Sequence, residues 1–191
     1  MTVQQRILAD VEQRVWQFRV QEFLVLAEKG SFADCARSEL LDGEIWTLNA
    51  IHSLHAAAQS EVHGRLWSAL SALDNGLRAY ITPSVQIDEK SLPEPDIAVA
   101  EDHGDGFLPV AKVRLLVEIS DTTLDLDLGR KQRVYAEGGV PEYWVVDVNA
   151  RVIHQMWAPE HGKFSQQRLQ NMDGAIEAAT IDGLTIDSLT F

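Results

Sequence analysis

Five residues between positions 96 and 135 have types and spacings suited to chemistry on a phosphate. Glu118 lies late in the apolar run "KVRLLVEIS" (112–120), between Val117 and Ile119. A carboxylate buried there without a partner costs several kcal/mol, so it needs a cation side chain or a metal ion. Asp96 follows Pro95, which holds the chain extended at the mouth of the short apolar run Ile97, Ala98, Val99. Downstream, Asp127, Lys131 and Tyr135 are spaced i, i+4, i+8 and share one helix face. If that helix packs back on the strand that carries Glu118, Lys131 reaches the carboxylates. Two carboxylates and a lysine converging on one point meet the needs of metal-assisted phosphodiester cleavage. The carboxylates are hard oxygen ligands for Mg²⁺ or Mn²⁺, and the ammonium orients water or offsets developing charge. Plainer readings of the same residues are a salt-bridged structural glutamate and a surface Asp127–Lys131 pair, the latter worth a few tenths of a kcal/mol.

The elements that must position these residues can be read from periodicity. "KVRLLVEIS" has a nearly continuous apolar centre, the pattern of a strand buried on both faces. The stretch from about Leu124 to Glu137 is helical, and Gly138-Gly139 ends it. "PEYWVVDV" and "RVIHQMWA" read as strands joined in a hairpin across Asn149-Ala150, and "AYITPSVQID", "DIAVA" and "FSQQRLQ" as further strands. Upstream, residues 4 to 28 carry Ile7, Val11, Val15, Phe18, Phe23 and Leu26 at helical spacing, in one helix or two short ones ending near Gly30. "ARSELLDGEIWTLN" (36–49) is two apolar runs joined by Asp42-Gly43, a strong hairpin signal. In "SEVHGRLWSALSALDNGL", Val62, Leu66, Trp67, Leu70 and Leu73 form a helical stripe with Ser60 as N-cap, closed by Asn75-Gly76. The order predicts an α/β (α+β) fold: a mixed central β-sheet flanked by helices, with an N-terminal helix and a β-hairpin as extension.

Composition narrows the partners. The 191 residues, 46% hydrophobic and 24% charged, suit a single domain spanning 1–191, with residues 1–30 as an N-terminal helical segment and the core from about 36 to 191. No apolar run is long enough for a membrane span, and the charge mixed into the first turns argues against a signal peptide, so the expectation is a cytoplasmic protein. The single cysteine, Cys35, forms no internal disulfide and no cysteine-based zinc cluster. A net charge of -13 argues against a broad basic surface for nucleic acid.

Several stretches together resemble a known family. "PDIAVA" (95–100), "LLVEISDTT" (115–123), "DLGRKQRVYAEGGVPEYWVVDV" (127–148) and "ELLDGEIW" (39–46) are similar to the Uma family of "putative restriction endonucleases", a branch of the PD-(D/E)xK nuclease superfamily. The resemblance spans about residues 20 to 191, and its most specific part is the D-x3-K-x3-Y pattern followed by G-V-P-E-Y-W. It implies a restriction-endonuclease-like core with the site at the strand ends. It also implies Asp96 and Glu118 as Mg²⁺ ligands, with the main-chain carbonyl of Ile119 as a third. The superfamily places a lysine two residues after the glutamate, where this chain has Ser120. The resemblance puts that lysine on the following helix, at Lys131, with Tyr135 one turn further on the same face. Lys112 and Arg114 lie too early on the strand to replace it.

Peripheral candidates are His63, which resembles a histidine of the family's helix after the hairpin, and Glu61, which could supply a helix carboxylate. Glu39 and Glu44 flank the hairpin turn and support it. His52 and His55 sit at a spacing that permits metal binding on a helix, but no third ligand is near, so a solvated turn is the simpler expectation. Asp121 and Asp125 suit N-cap and first-turn positions. The five tryptophans read as core.

The expectation is a Mg²⁺-dependent DNA endonuclease in which Asp96 and Glu118 hold the metal, Lys131 activates or positions water and Tyr135 supports the lysine or touches phosphate. Against 29 carboxylates the chain has 16 Lys and Arg, so basic residues must gather at one cleft, completed by a homodimer, or the substrate is not long duplex DNA. The alternatives are a nuclease-fold binding or accessory module without catalysis and a metal-dependent hydrolase of a small phosphoester.

Overall fold

The computed structural model describes residues 15–48 and 52–191, so the first turns of the expected N-terminal helix lie outside the described residues. Helix α1 spans Val20–Glu28, and Val20 and Phe23 pack with Leu40 and Leu92 in a small cluster. Strands β1 (Arg37–Leu41) and β2 (Glu44–Leu48) form the expected hairpin. Its turn residues Asp42 and Gly43 both have positive φ, 51° and 75°, the geometry that Asp-Gly favours. Gly43 is required twice over, because a Cβ there would stand 2.6 Å from the Cβ of Gln17.

Helix α2 runs over Ser53–Leu73 with His52 as its N-cap, so it starts eight residues earlier than the expected N-cap at Ser60 implies. The added turns hold three consecutive alanines, strong helix formers with no bulk to mark a stripe. Ala58, Val62, Leu66 and Leu70 face the core. Trp67, about a quarter-turn from Leu66, is 53% exposed, so it does not belong to the apolar stripe, and with Trp16 at 70% it corrects the expectation that all tryptophans are core. Trp144 is fully buried.

The central sheet has six strands in the order β10-β9-β8-β7-β5-β3. These are β3 (Leu77–Ile81), β5 (Ile97–Glu101), β7 (Val113–Ser120), β8 (Glu142–Asp147), β9 (Val152–Glu160) and β10 (Lys163–Asn171). Only β7 and β8 pair parallel; the other neighbours are antiparallel, so the sheet is mixed as expected. The short β4 (Val85–Gln86) pairs with β6 (Leu108–Pro109) outside this sheet.

A parallel β7–β8 pair demands a crossover, and the helical run 124–137 supplies it. The run is not uniform: α3 (Leu124–Leu126) and α4 (Gln132–Glu137) flank a π-helical turn, Asp127–Lys131. Gly139, at φ 73°, ends it.

Side chains alternate along β7, so Leu115, Val117 and Ile119 join the core under α2, while Leu116 joins the core under the crossover helix. The C-terminal ribbon β11 (Ile176–Glu177) and β12 (Thr185–Ile186) closes the α2 side. It is held by a carboxylate that sequence reasoning passed over. Glu142 is fully buried and accepts hydrogen bonds from Trp144 Nε1 (2.6 Å), Ala179 N (2.9 Å), and Thr180 N and Oγ1 (2.7 and 2.8 Å). Glu142→Ala orphans these buried donors and should destabilise the protein by about 3–5 kcal/mol, read as a fall in Tm of roughly 10 °C. Among the described residues no helix is long and apolar enough to cross a membrane.

Candidate active site

The β5–β7 register explains why two carboxylates meet. Ile97 opposes Val117 and Ala98 opposes Leu116, so continuing the ladder by one step sets Asp96 opposite Glu118. Opposed residues project from the same face with Cβ atoms about 5 Å apart. Asp96 stands just before β5, where the ladder stops, and its Oδ2 accepts the Ile119 N–H at 2.8 Å. In an extended strand a residue's N–H and C=O point to the same side, so the Ile119 carbonyl also faces the Asp96 gap.

Asp96 is fixed from three directions. Arg37, on β1, donates to Oδ1 at 3.0 Å, and His55 Nε2, on the first turn of α2, lies 3.1 Å from Oδ2. Gln59, one helical turn after His55, donates to the Asp96 main-chain carbonyl at 2.9 Å. Burial alone would raise the Asp96 carboxyl; the bonds from His55 and Ile119 and the charge of Arg37 outweigh it and hold the group below the usual carboxylate range. A carboxylate has about four lone-pair positions, so three partners leave one for an ion.

Glu118 is anchored through one oxygen. Its Oε1 accepts from Tyr135 Oη at 2.6 Å and from Lys131 Nζ at 3.1 Å. Burial pushes the Glu118 carboxyl well above its usual range, Lys131 opposes the shift, and Asp96, Asp127 and Glu39 reinforce it. Tyr135, buried and facing Glu118, is raised in turn and stays a neutral donor.

Lys131 is 2% exposed and sits between Glu118 and Glu39, whose Oε2 lies 3.0 Å from Nζ. Burial would lower its pKa, but Glu118, Glu39, Asp127 and Asp96 together raise it, so the ammonium keeps its proton. Glu39 also bonds Arg37 at 3.2 Å, which links both cations through one carboxylate of β1. The hairpin is therefore a wall of the site rather than a remote extension. Asp127 accepts from Thr123 Oγ1 at 2.6 Å, and burial raises its carboxyl. Lys131 closes the π-helical turn, a local irregularity frequent at functional sites.

The structure thus brings Asp96, Glu118, Ile119, Asp127, Lys131 and Tyr135 together. Ser120 is buried beside them. His63 and Glu61 lie elsewhere. His63 bonds the Ala79 carbonyl, and Glu61 receives Thr190 N and Oγ1, both at 3.1 Å, tying the C-terminal segment to α2. His52 and His55 do not converge on one point: His52 pairs with Asp121 and His55 with Asp96. Asp121 consequently serves His52 and Asn149 instead of capping the crossover helix, whose N-cap is Thr123. Arg37, His55 and Gln59 were the functional neighbours that sequence reasoning missed.

Arg37, His55, Asp96, Glu118, Ile119, Asp127 and Lys131 line a cleft of about 390 Å³ together with Thr47, His52, Asp121 and Thr122. Asp96, Glu118, Glu39 and Asp127 surround Lys131 and Arg37, so carboxylates outnumber cations here. A divalent cation would offset that excess. Among the described residues no three His, Cys, Asp or Glu side chains are disposed to hold an ion alone. A donor set of two carboxylates, the Ile119 carbonyl and water suits Mg²⁺, which keeps several waters and takes one or two carboxylates. The residues present fit the ion.

A six-stranded mixed sheet, a parallel β7–β8 pair joined by a helix, and carboxylates at the strand ends define a nuclease-like α+β fold. The same fold is seen in the crystal structure of a "putative nuclease belonging to DUF820" from Anabaena variabilis ATCC 29413, with a TM-score of 0.62 and 17% identity over 89% of this chain and 94% of that one. The chain belongs to the Uma2 family, described as "Putative restriction endonuclease", whose profile matches residues 20–189. No curated protein matches the sequence.

Proposed function

We infer that the protein is a metal-dependent endonuclease that hydrolyses phosphodiester bonds of DNA at the Asp96–Glu118 end of the β5–β7 pair. What supports this most is the buried lysine of the crossover helix, held against Glu118 at the floor of a cleft whose carboxylates outnumber its cations. Asp96, Glu118 and the Ile119 carbonyl would hold Mg²⁺ or Mn²⁺, which supplies Lewis-acid stabilisation of charge on the phosphate oxygens. The chain's own groups do the rest. Tyr135 and Lys131 fix Glu118 through Oε1, and Arg37, His55 and Ile119 N fix Asp96. Lys131 remains protonated, so it acts as a donor that orients the attacking water and offsets developing negative charge, not as a base.

Calorimetric titration of Mn²⁺ tests the ligand assignment without reference to turnover. Binding is expected in the wild type and its loss in Asp96→Asn; equal binding in both would overturn the assignment. His55→Ala removes one support of Asp96 without touching the ion and should weaken Mn²⁺ about 10- to 100-fold.

A further inference from the structure

We propose that the site takes a single strand or a short oligonucleotide and holds only one or two of its phosphates, rather than gripping a long duplex. The proposal rests on the phosphodiesterase reading above and narrows its substrate. The first observation is depth. Asp96 and Glu118 are each 3% exposed, at the floor of a cleft of about 390 Å³. That space is at the small end of ligand-sized pockets. A flexible single strand can lower one phosphate into such a space, whereas a duplex, whose backbone is held at the radius of a wide stack, meets the rim of the cleft first.

The second observation is where the cations are. Among the described residues, only Lys131 and Arg37 bring formal positive charge to the cleft wall, against Asp96, Glu118, Asp121 and Asp127. Outside it, among the described residues, most of the arginines, and Lys112, already face carboxylates. Arg65 meets Glu61, Arg78 meets Asp102, Lys112 and Arg114 meet Glu101, Arg130 meets Glu44, and Arg133 meets Asp42. A duplex-binding protein displaces counterions at many phosphates with free Lys and Arg. With 29 carboxylates to 16 Lys and Arg, this surface repels a second and third turn of duplex instead.

The test compares a single strand of about five nucleotides with linear duplex DNA, both incubated with the full chain and Mn²⁺, and follows binding by fluorescence anisotropy across salt. The site's capacity of one or two phosphates predicts a log-log salt slope between about -0.7 and -1.4 for the short strand. Its hydrolysis should exceed that of the duplex about 100-fold per phosphodiester. A duplex that is bound with a slope of about -5 or steeper, or cut as fast as the short strand, overturns the proposal and leaves the phosphodiesterase reading standing. Hydrolysis of neither substrate by protein that binds Mn²⁺ overturns both.

Discussion

Replacing Lys131 by methionine is expected to destabilise the metal-free protein by about 3–5 kcal/mol, the penalty for leaving partners of a buried ion pair uncompensated. The side chain is 2% exposed, so solvent does not soften the effect, and both Glu118 and Glu39 lose their ammonium at once. Chemical denaturation in the presence of a chelator reads it. The loss should shrink as pH falls, because protonation of Glu118, whose carboxyl burial pushes above its usual range, removes unpaired buried charge. A Lys131→Met protein as stable as wild type at neutral pH would mean that Lys131 carries no charge of consequence. The same substitution should abolish cleavage, since nothing else in the cleft presents an ammonium to the attacking water.

Glu118→Gln is expected to act in opposite directions on stability and function. Burial, Asp96, Asp127 and Glu39 hold the Glu118 carboxyl well above its usual range. For an acid whose folded pKa exceeds the unfolded one, protonation favours the fold. The metal-free wild type should therefore gain stability as pH drops through the folded value toward the unfolded one. The glutamine variant carries that gain at neutral pH and loses the dependence on Glu118 titration. It keeps an oxygen for Tyr135 and Lys131 but no anionic ligand, so Mn²⁺ binding and cleavage should fall below detection. Thermal unfolding of both proteins in chelator checks the stability arm. A destabilised Glu118→Gln would show that the ion pair with Lys131 outweighs the cost of burial and crowding.

The parts of the site that could be read in advance are those governed by local rules. The strand carrying Glu118 announced itself by an unbroken apolar run, and the face shared by Asp127, Lys131 and Tyr135 follows from helical spacing. The β1–β2 hairpin is written in Asp42-Gly43, a dipeptide that tolerates positive φ at both positions. What could not be read depends on chain segments meeting across long separations. Arg37 reaches Asp96 over 59 residues and His55 reaches it over 41, and neither has a neighbour in sequence that hints at the contact. His55 is further hidden because the alanines after it erase the helix's apolar stripe, so the sequence marks a helix start at Ser60 and leaves the histidine in a turn. Glu142 looks like one more strand residue until residues 179 and 180 fold over it. The π-helical turn at Asp127–Lys131 has no periodic signature over so short a run.

The most direct test is cleavage of a single-stranded oligonucleotide by the purified protein in Mn²⁺, beside Glu118→Gln and Lys131→Met variants shown to be folded by circular dichroism. Cutting by the wild type alone, stopped by chelation, is the predicted result. Cutting that survives both substitutions, or no cutting by wild-type protein with Mn²⁺ bound, would contradict the account.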